Sequence, residues 1–157
     1  MSKNSSNQSS VTIERYEDGS ISFEVWFKNN KLHRLDGPAV ISYYSDGSIS
    51  SESWYQDGEY HRLDGPAVIY YRKDSSIESK EWYRNNKLHR LDGPAIIKYN
   101  DGSINSEHWY QDGKQHRLDG PVIINYYEDG TVKSKEWYQN GSFMFKRLYQ
   151  IVNKNNN

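Results

Sequence analysis

The heptapeptide His-Arg-Leu-Asp-Gly-Pro-Ala fills residues 33–39, returns unchanged at 61–67 and 89–95, and returns once more, ending in Val, at 116–122. The intervals are 28, 28 and 27 residues. A fixed period of this size means that one supersecondary unit is built repeatedly, each unit burying its apolar surface against its neighbours. The fold is therefore read from the repeat.

Each unit reads as two strands and two turns. In the second, Pro38–Ser45 is rich in β-branched and aromatic residues and predicts a strand that opens on a proline, where a missing N–H costs little. Asp46-Gly47 predicts a two-residue type I′ turn, since that turn needs positive φ and glycine accepts it. Ser48–Gln56 predicts the return strand, and Asp57-Gly58 a second turn before the connector His61–Gly65. Trp recurs at 26, 54, 82, 109 and 137, each followed by Phe or Tyr. The first turn recurs at Asp18, Asp46, Asp74, Asp101 and Asp129, and the second at Asn29, Asp57, Asn85, Asp112 and Asn140. The 27-residue interval reflects one residue missing from Pro94–Asn100, which predicts a local difference in bulging there.

The expected fold is all-β: an open, elongated antiparallel sheet of about five repeated hairpins joined by four connectors. Ten strands about 4.8 Å apart would span roughly 45–50 Å, with equivalent residues of successive units roughly 10 Å apart. Alternation puts Trp54 and Tyr55 on opposite faces. Ile41 and Tyr43 share one face and Val40 takes the other, while Ile49, Ile77, Ile104 and Val132 are expected on the Tyr55 face. The boundaries are a polar tail at 1–10, one repeat domain at 11–142, a C-terminal cap at 143–152 and a second polar tail at 153–157. Residues 143–152 replace the next connector. Their apolar positions fit a short helix or strand folded over the last hairpin.

Composition limits the function. Twenty Lys+Arg against 21 Asp+Glu leave a net charge of -1, which argues against a dedicated nucleic-acid binder. Without cysteine there is no disulfide, thiolate metal site or cysteine nucleophile. No apolar run approaches the length of a transmembrane span, and residues 1–10 have no secretory-signal pattern. Hydrophobic residues make up only 34% of the chain while aromatics reach 15%, so a thin structure faced with rings is expected rather than a thick aliphatic core.

These residues carry a resemblance. A unit of the form YYxDGSIxSExWY followed by HRLDGPA, built as a hairpin, resembles the MORN-type repeats. It is closest to their longer variants in giant DNA virus and bacterial antitoxin-like repeat proteins. The resemblance covers residues 11–142. It departs from the family in its 28-residue period and in the connector itself. It implies an extended antiparallel sheet, a scaffolding role, association with phospholipid surfaces, and a cytoplasmic setting, either host cytoplasm or virion.

Four His–Asp pairs invite a metal or acid–base reading. Zinc–nitrogen bonds of about 2.0–2.1 Å require ligands that converge, whereas His33, His61, His89 and His116 should step along the sheet by roughly 10 Å. No metal, cofactor or catalytic residue is assigned, because identical residues spread evenly do not make the distinct roles of one active pocket. The connectors read as structural: His33, Arg34, Asp36, Gly37 and Pro38; His61, Arg62, Asp64, Gly65 and Pro66; His89, Arg90, Asp92, Gly93 and Pro94; His116, Arg117, Asp119, Gly120 and Pro121. Glycine is expected to supply an unusual backbone angle, Asp to accept from turn amides, and Arg to pair with an Asp in its own or a neighbouring connector. His108, outside the connectors, reads as a variable surface residue.

A non-enzymatic protein presenting an elongated surface to a protein partner is the function this pattern predicts. Specificity is expected where the copies differ: Ser42, Tyr44, Tyr60, Tyr70, Arg72, Lys80, Lys98, Glu107, Asn125, Tyr127 and Lys135. The alternatives are glycan or small-ligand binding through the aromatic residues, and a membrane-surface scaffold.

Overall fold

The computed structural model describes residues 9–139 and 142–149. Every regular element in them is a strand: β1 (Ser9–Arg15), β2 (Ile21–Lys28), β3 (Lys31–Leu32), β4 (Val40–Tyr43), β5 (Ile49–Ser53), β6 (Tyr55–Gln56), β7 (Glu59–Tyr60), β8 (Val68–Tyr71), β9 (Ile77–Glu81), β10 (Tyr83–Arg84), β11 (Lys87–Leu88), β12 (Ile96–Asn100), β13 (Ser103–His108), β14 (Tyr110–Gln111), β15 (Lys114–Gln115), β16 (Ile123–Tyr126), β17 (Val132–Gln139) and β18 (Ser142–Leu148). Eleven of them form one open antiparallel path, β1-β2-β4-β5-β8-β9-β12-β13-β16-β17-β18, with β3 paired on β2. The first strand starts at Ser9, so residues 9 and 10 belong to the sheet rather than to a tail. Residues 1–8 and 150–157, which include the second predicted tail and part of the predicted cap, lie outside the described residues, as does the predicted turn at 140–141.

The hairpins repeat in detail. The return strand breaks at each central Trp: Trp54 N–H still donates to Ala67 O at 2.8 Å, but Tyr55-Gln56 and Glu59-Tyr60 peel away as a separate two-stranded ribbon. Tyr83–Leu88 and Tyr110–Gln115 do the same. The predicted continuous strand Ser48–Gln56 is therefore two pieces. Ala39, Ala67, Ala95 and Val122 at the connector ends are each 0% exposed, and with Val25, Val68 and Ile124 they make up a thin core.

The turns correct the sequence reading. The second turns are type I′, with positive φ at Asn29 and Asn30, Asp57 and Gly58, Asn85 and Asn86, and Asp112 and Gly113. The first turns mostly are not. At Tyr44–Ser48 only Gly47 has positive φ, Gly47 N–H donates to Tyr44 O at 3.0 Å, and Tyr44 N–H donates to Ser48 O at 2.8 Å. That is a three-residue loop ending in a left-handed residue. Tyr16–Ser20, Arg72–Ser76 and Tyr127–Thr131 share it. The exception is Asp101-Gly102, both at positive φ, in the repeat that is one residue short. The missing residue has left the bulge alone, since a register shift between Lys98 and Tyr99 matches the one between Ser42 and Tyr43. It has shortened the turn instead.

That bulge also moves a set of side chains. Ser42 pairs with Ser51 and Tyr43 with Ile49, so Ser50 is skipped and the alternation inverts. Ile49, Ile77, Ile104 and Val132 therefore pair with Tyr43, Tyr71, Tyr99 and Tyr126 and lie on the Trp face, not on the Tyr55 face.

Candidate functional surface

Two faces result. The register row Glu24–Ile41–Glu52–Ile69–Lys80–Ile97–Glu107–Ile124–Lys135 runs along the Trp face. Tyr71 Oη donates to Glu52 at 2.7 Å and Tyr126 Oη to Glu107 at 2.6 Å, each reaching back from the next hairpin. Burial and then those carboxylates hold the Tyr71 and Tyr126 hydroxyls above the ordinary phenol range. At Lys80 the charge is reversed, and its Nζ lies 5.7 Å from the Tyr99 ring centroid.

On this face each connector is built around its arginine. The guanidinium carbons of Arg34, Arg62, Arg90 and Arg117 sit 4.1, 4.0, 4.1 and 4.2 Å from the ring centroids of Trp26, Trp54, Trp82 and Trp109. Arg62 Nε donates to Asp64 at 2.9 Å and Nη1 to Pro66 O at 3.3 Å, closing the loop. That Nε bond holds the exposed Asp64 carboxyl below its ordinary value. The expected Arg–Asp pairing is thus made within one connector, and the carboxylate accepts from arginine.

The glycine has a different job from the one the sequence suggested. Gly37, Gly65, Gly93 and Gly120 are absent from the positive-φ residues. A Cβ at Gly65 would instead fall 3.1 Å from the Arg62 guanidinium carbon, and one at Gly120 2.9 Å from that of Arg117. Glycine is needed so that the arginine can lie between the loop and the Trp ring.

Histidine links one unit to the next. His33, His61 and His89 place Nδ1 at 3.1, 2.8 and 3.0 Å from side-chain oxygens of Asp57, Asn85 and Asp112, the first residues of the following second turns. Among the described residues no three His, Asp or Glu side chains come together as a metal site would require.

One connector residue is turned out to solvent in every copy. Leu35, Leu63, Leu91 and Leu118 are 78, 82, 75 and 92% exposed, at the same place in every connector. Open grooves of about 580 Å³ and 870 Å³ lie between the second and third and the third and fourth connectors. Duplication alone does not account for four leucines, since the second-turn position has diverged to Leu32, Tyr60, Leu88 and Gln115. The sequence reading passed over them because they sit inside a motif whose other residues are structural. Their identity across the copies was visible; their exposure was not.

The opposite face carries the row Ser42–Ser51–Tyr70–Ser79–Lys98–Ser106–Asn125–Ser134. Tyr60 lies 4.3 Å from Tyr55 and 5.0 Å from Tyr83, ring to ring, and Tyr83 Oη donates to Glu81 at 3.0 Å. Burial foremost raises the hydroxyls of Tyr55, Tyr70 and Tyr83 above their ordinary range. His108 lies in the neighbouring row between Ile96 and Ile123, half-buried, with its Nε2 3.1 Å from Ser106 Oγ. It is a packed residue rather than a freely variable surface one.

The eleven predicted interaction residues therefore do not share one surface. Ser42, Tyr60, Tyr70, Lys98 and Asn125 lie on the tyrosine face, and Lys80, Glu107 and Lys135 on the Trp face. Tyr44, Arg72 and Tyr127 stand at the turn ends, the first two bonding to the next hairpin's backbone and Tyr127 to the backbone just after β18. Comparison with protein-family models, curated proteins and solved structures yields no match.

Proposed function

We propose that this chain is a non-enzymatic β-repeat protein of the MORN-like solenoid type, whose connector face offers an elongated docking surface to a protein partner. The carrying observation is the ridge of Leu35, Leu63, Leu91 and Leu118, each held outward on an arginine-locked loop and each more than 70% exposed. A single exposed leucine needs no explanation, but four in register, rimmed by the exposed carboxylates of Asp36, Asp64, Asp92 and Asp119, form a repeated apolar-acidic pattern. The open grooves between connectors give a partner's side chains room to enter. The period and connector signature support the repeat-solenoid reading, and the MORN-type resemblance supports a scaffolding role.

The test replaces all four leucines by serine. The variant is expected to melt with the wild type, because the leucines touch little of their own chain. It should lose a partner captured by the wild type from the native source. The single change Leu63→Ser should weaken that complex by about 10-fold or more, the range expected for one buried leucine. Retention of the same partner by the fourfold variant refutes the proposal.

A second reading rests on the tyrosine face. Tyr60 and Tyr70, where the other units carry Leu or Gln and Ser, Lys or Asn, gather with Tyr55 and Tyr83, and Tyr70 is 38% exposed. Such a platform suits stacking of a sugar ring or another flat ligand. Fluorescence titration with oligosaccharides, compared with Tyr70→Ala, tests it; equal responses from the two proteins rule it out.

A further inference from the structure

Successive hairpins, and the last hairpin and the edge strand β18, are tied at their turn ends by one side chain each. Tyr16 Oη donates to Tyr43 O at 2.7 Å, Tyr44 Oη to Tyr71 O at 2.8 Å and Tyr127 Oη to Tyr149 O at 2.9 Å. Arg72 Nη2 does the same for Tyr99 O while Nη1 bonds Ile77 O across its own turn. The junction between the fourth and fifth hairpins breaks the series. The residue that would make the tie is the one missing from the 27-residue interval, because Tyr99 is followed directly by Asn100-Asp101-Gly102. Among the described residues no side chain donates to the equivalent carbonyl, that of Tyr126. In place of the tie there is an open cleft of about 480 Å³, lined by Ile104 and Asn105 on one hairpin and by Tyr126, Tyr127 and Lys133 on the other.

We propose that this cleft is a binding site for a tyrosyl side chain presented by a protein partner. Its phenol hydroxyl would donate to Tyr126 O as Tyr44 donates to Tyr71 O. Three of the four filled junctions show that a phenol fits this backbone geometry. The fourth, Arg72, relies partly on a bond across its own turn that an incoming side chain does not bring. Ile104, 38% exposed, supplies apolar surface for a ring. The site comes from the repeat that is one residue short, so among the described junctions it occurs once and gives an otherwise periodic surface a fixed register for its partner. Only the source of the tyrosine rests on the interaction reading above; the cleft's selectivity stands apart from the leucine ridge.

The probe is 4-methylphenol, titrated into the isotope-labelled full chain and followed by amide NMR, with toluene as the donorless control and propylguanidine as the arginine mimic. Saturable shifts are expected at Ile104, Tyr126 and Tyr127, with a dissociation constant on the order of 1 mM for so small a ligand. Toluene should bind about 2–10-fold more weakly for want of the hydrogen bond. A chain with Tyr inserted between Tyr99 and Asn100 fills the cleft from within and should lose those shifts. Absence of the wild-type shifts, equal binding of toluene, tighter binding of propylguanidine, or undiminished shifts in a folded insertion variant would each overturn the proposal. If the insertion does not fold, the wild-type titration and its two controls decide. None of these outcomes bears on the serine substitutions at the ridge.

Discussion

The guanidinium carbon of Arg62 rests 4.0 Å from the centroid of the Trp54 ring, and the loop that carries it closes over its other side at Gly65. Three contacts pin that arginine: the ring, Asp64 and Pro66 O. Gly65→Ala is therefore expected to push the guanidinium off the ring and cost about 1–2 kcal/mol, the scale of a cation–π contact plus a hydrogen bond. In an Arg62→Ala background the same change should cost little, because nothing remains to be displaced. Urea unfolding of the four proteins gives the coupling directly. Additive losses would mean that the glycine serves some purpose other than making room for Arg62.

Acid sensitivity follows from two sets of groups. Arginine bonds depress the pKa of Asp36, Asp64 and Asp92, and Ser or Thr hydroxyls in the turns depress those of Asp18, Asp46, Asp74 and Asp129. A depressed carboxylate stabilises the fold above its ordinary value of 3.8 and loses that contribution as pH falls through its lower folded value. His108 acts higher on the scale. Burial, then the Lys98 charge, lowers its pKa from 6.5 against the opposing pull of Glu136. Its neutral form is thus favoured on folding, and stability is full above 6.5 and declines below. The melting temperature should fall in a first small step starting near pH 6.5 and a larger one below about pH 4. His108→Asn should remove the first step alone; a first step that persists would place its origin elsewhere.

The parts of the fold that were legible in the sequence are those with a period. Hairpin number, connector number, the Trp register and the second turns all follow from matched positions such as Asp57-Gly58. What escaped the reading depended on backbone geometry that the letters do not show. Asp46-Gly47 and Asp101-Gly102 are the same dipeptide, yet one closes a three-residue loop and the other a two-residue turn, according to what precedes them. One skipped residue, Ser50, sends Ile49 to the other face. Gly65 was read as a φ requirement because that is glycine's commonest use, whereas here the constraint is the space occupied by Arg62. The candidate surface was likewise chosen from letters without that geometry. Divergence between copies selected Tyr44 and Arg72, which tie hairpins together, and passed over Leu63, which is identical in every copy and exposed.

Tyr44 provides the check on that reassignment. Tyr44→Phe removes the hydrogen bond to Tyr71 O and leaves the ring, so a loss of about 0.5–1.5 kcal/mol is expected in thermal or urea unfolding. Partner affinity should not change. An unaltered melt combined with weaker partner binding would return Tyr44 to the interaction surface.

At the C-terminal end, residues 143–148 of the segment expected to fold as a helix or strand lie in the edge strand β18. Phe145 stacks on Trp137 at 4.6 Å, taking the place that arginine holds over the other four Trp rings. Lys146 pairs with Glu136 at 2.7 Å. The strand nonetheless leaves Phe143, Met144, Phe145 and Leu148 at 56, 53, 48 and 71% exposure, and beyond β17 it pairs with no other strand among the described residues. Removing residues 143–157 would uncover Trp137 and present β17 as the new edge. Light scattering should then show association at lower protein concentration than for the full chain. A truncated protein that stays monomeric and melts normally would mean that β18 contributes nothing to the sheet it borders.

Site-specific photo-cross-linking tests the connector-face account most directly. A photoreactive residue is placed in turn at Leu35, Leu63, Leu91 and Leu118, and at Tyr70 on the opposite face, and each protein is irradiated with the partner that the wild type retains. Adducts at several or all four connector positions and none at Tyr70 are the predicted result, since the ridge runs along one face of one sheet. Adducts at Tyr70 with none at the connectors would contradict it and place the working surface on the tyrosine face.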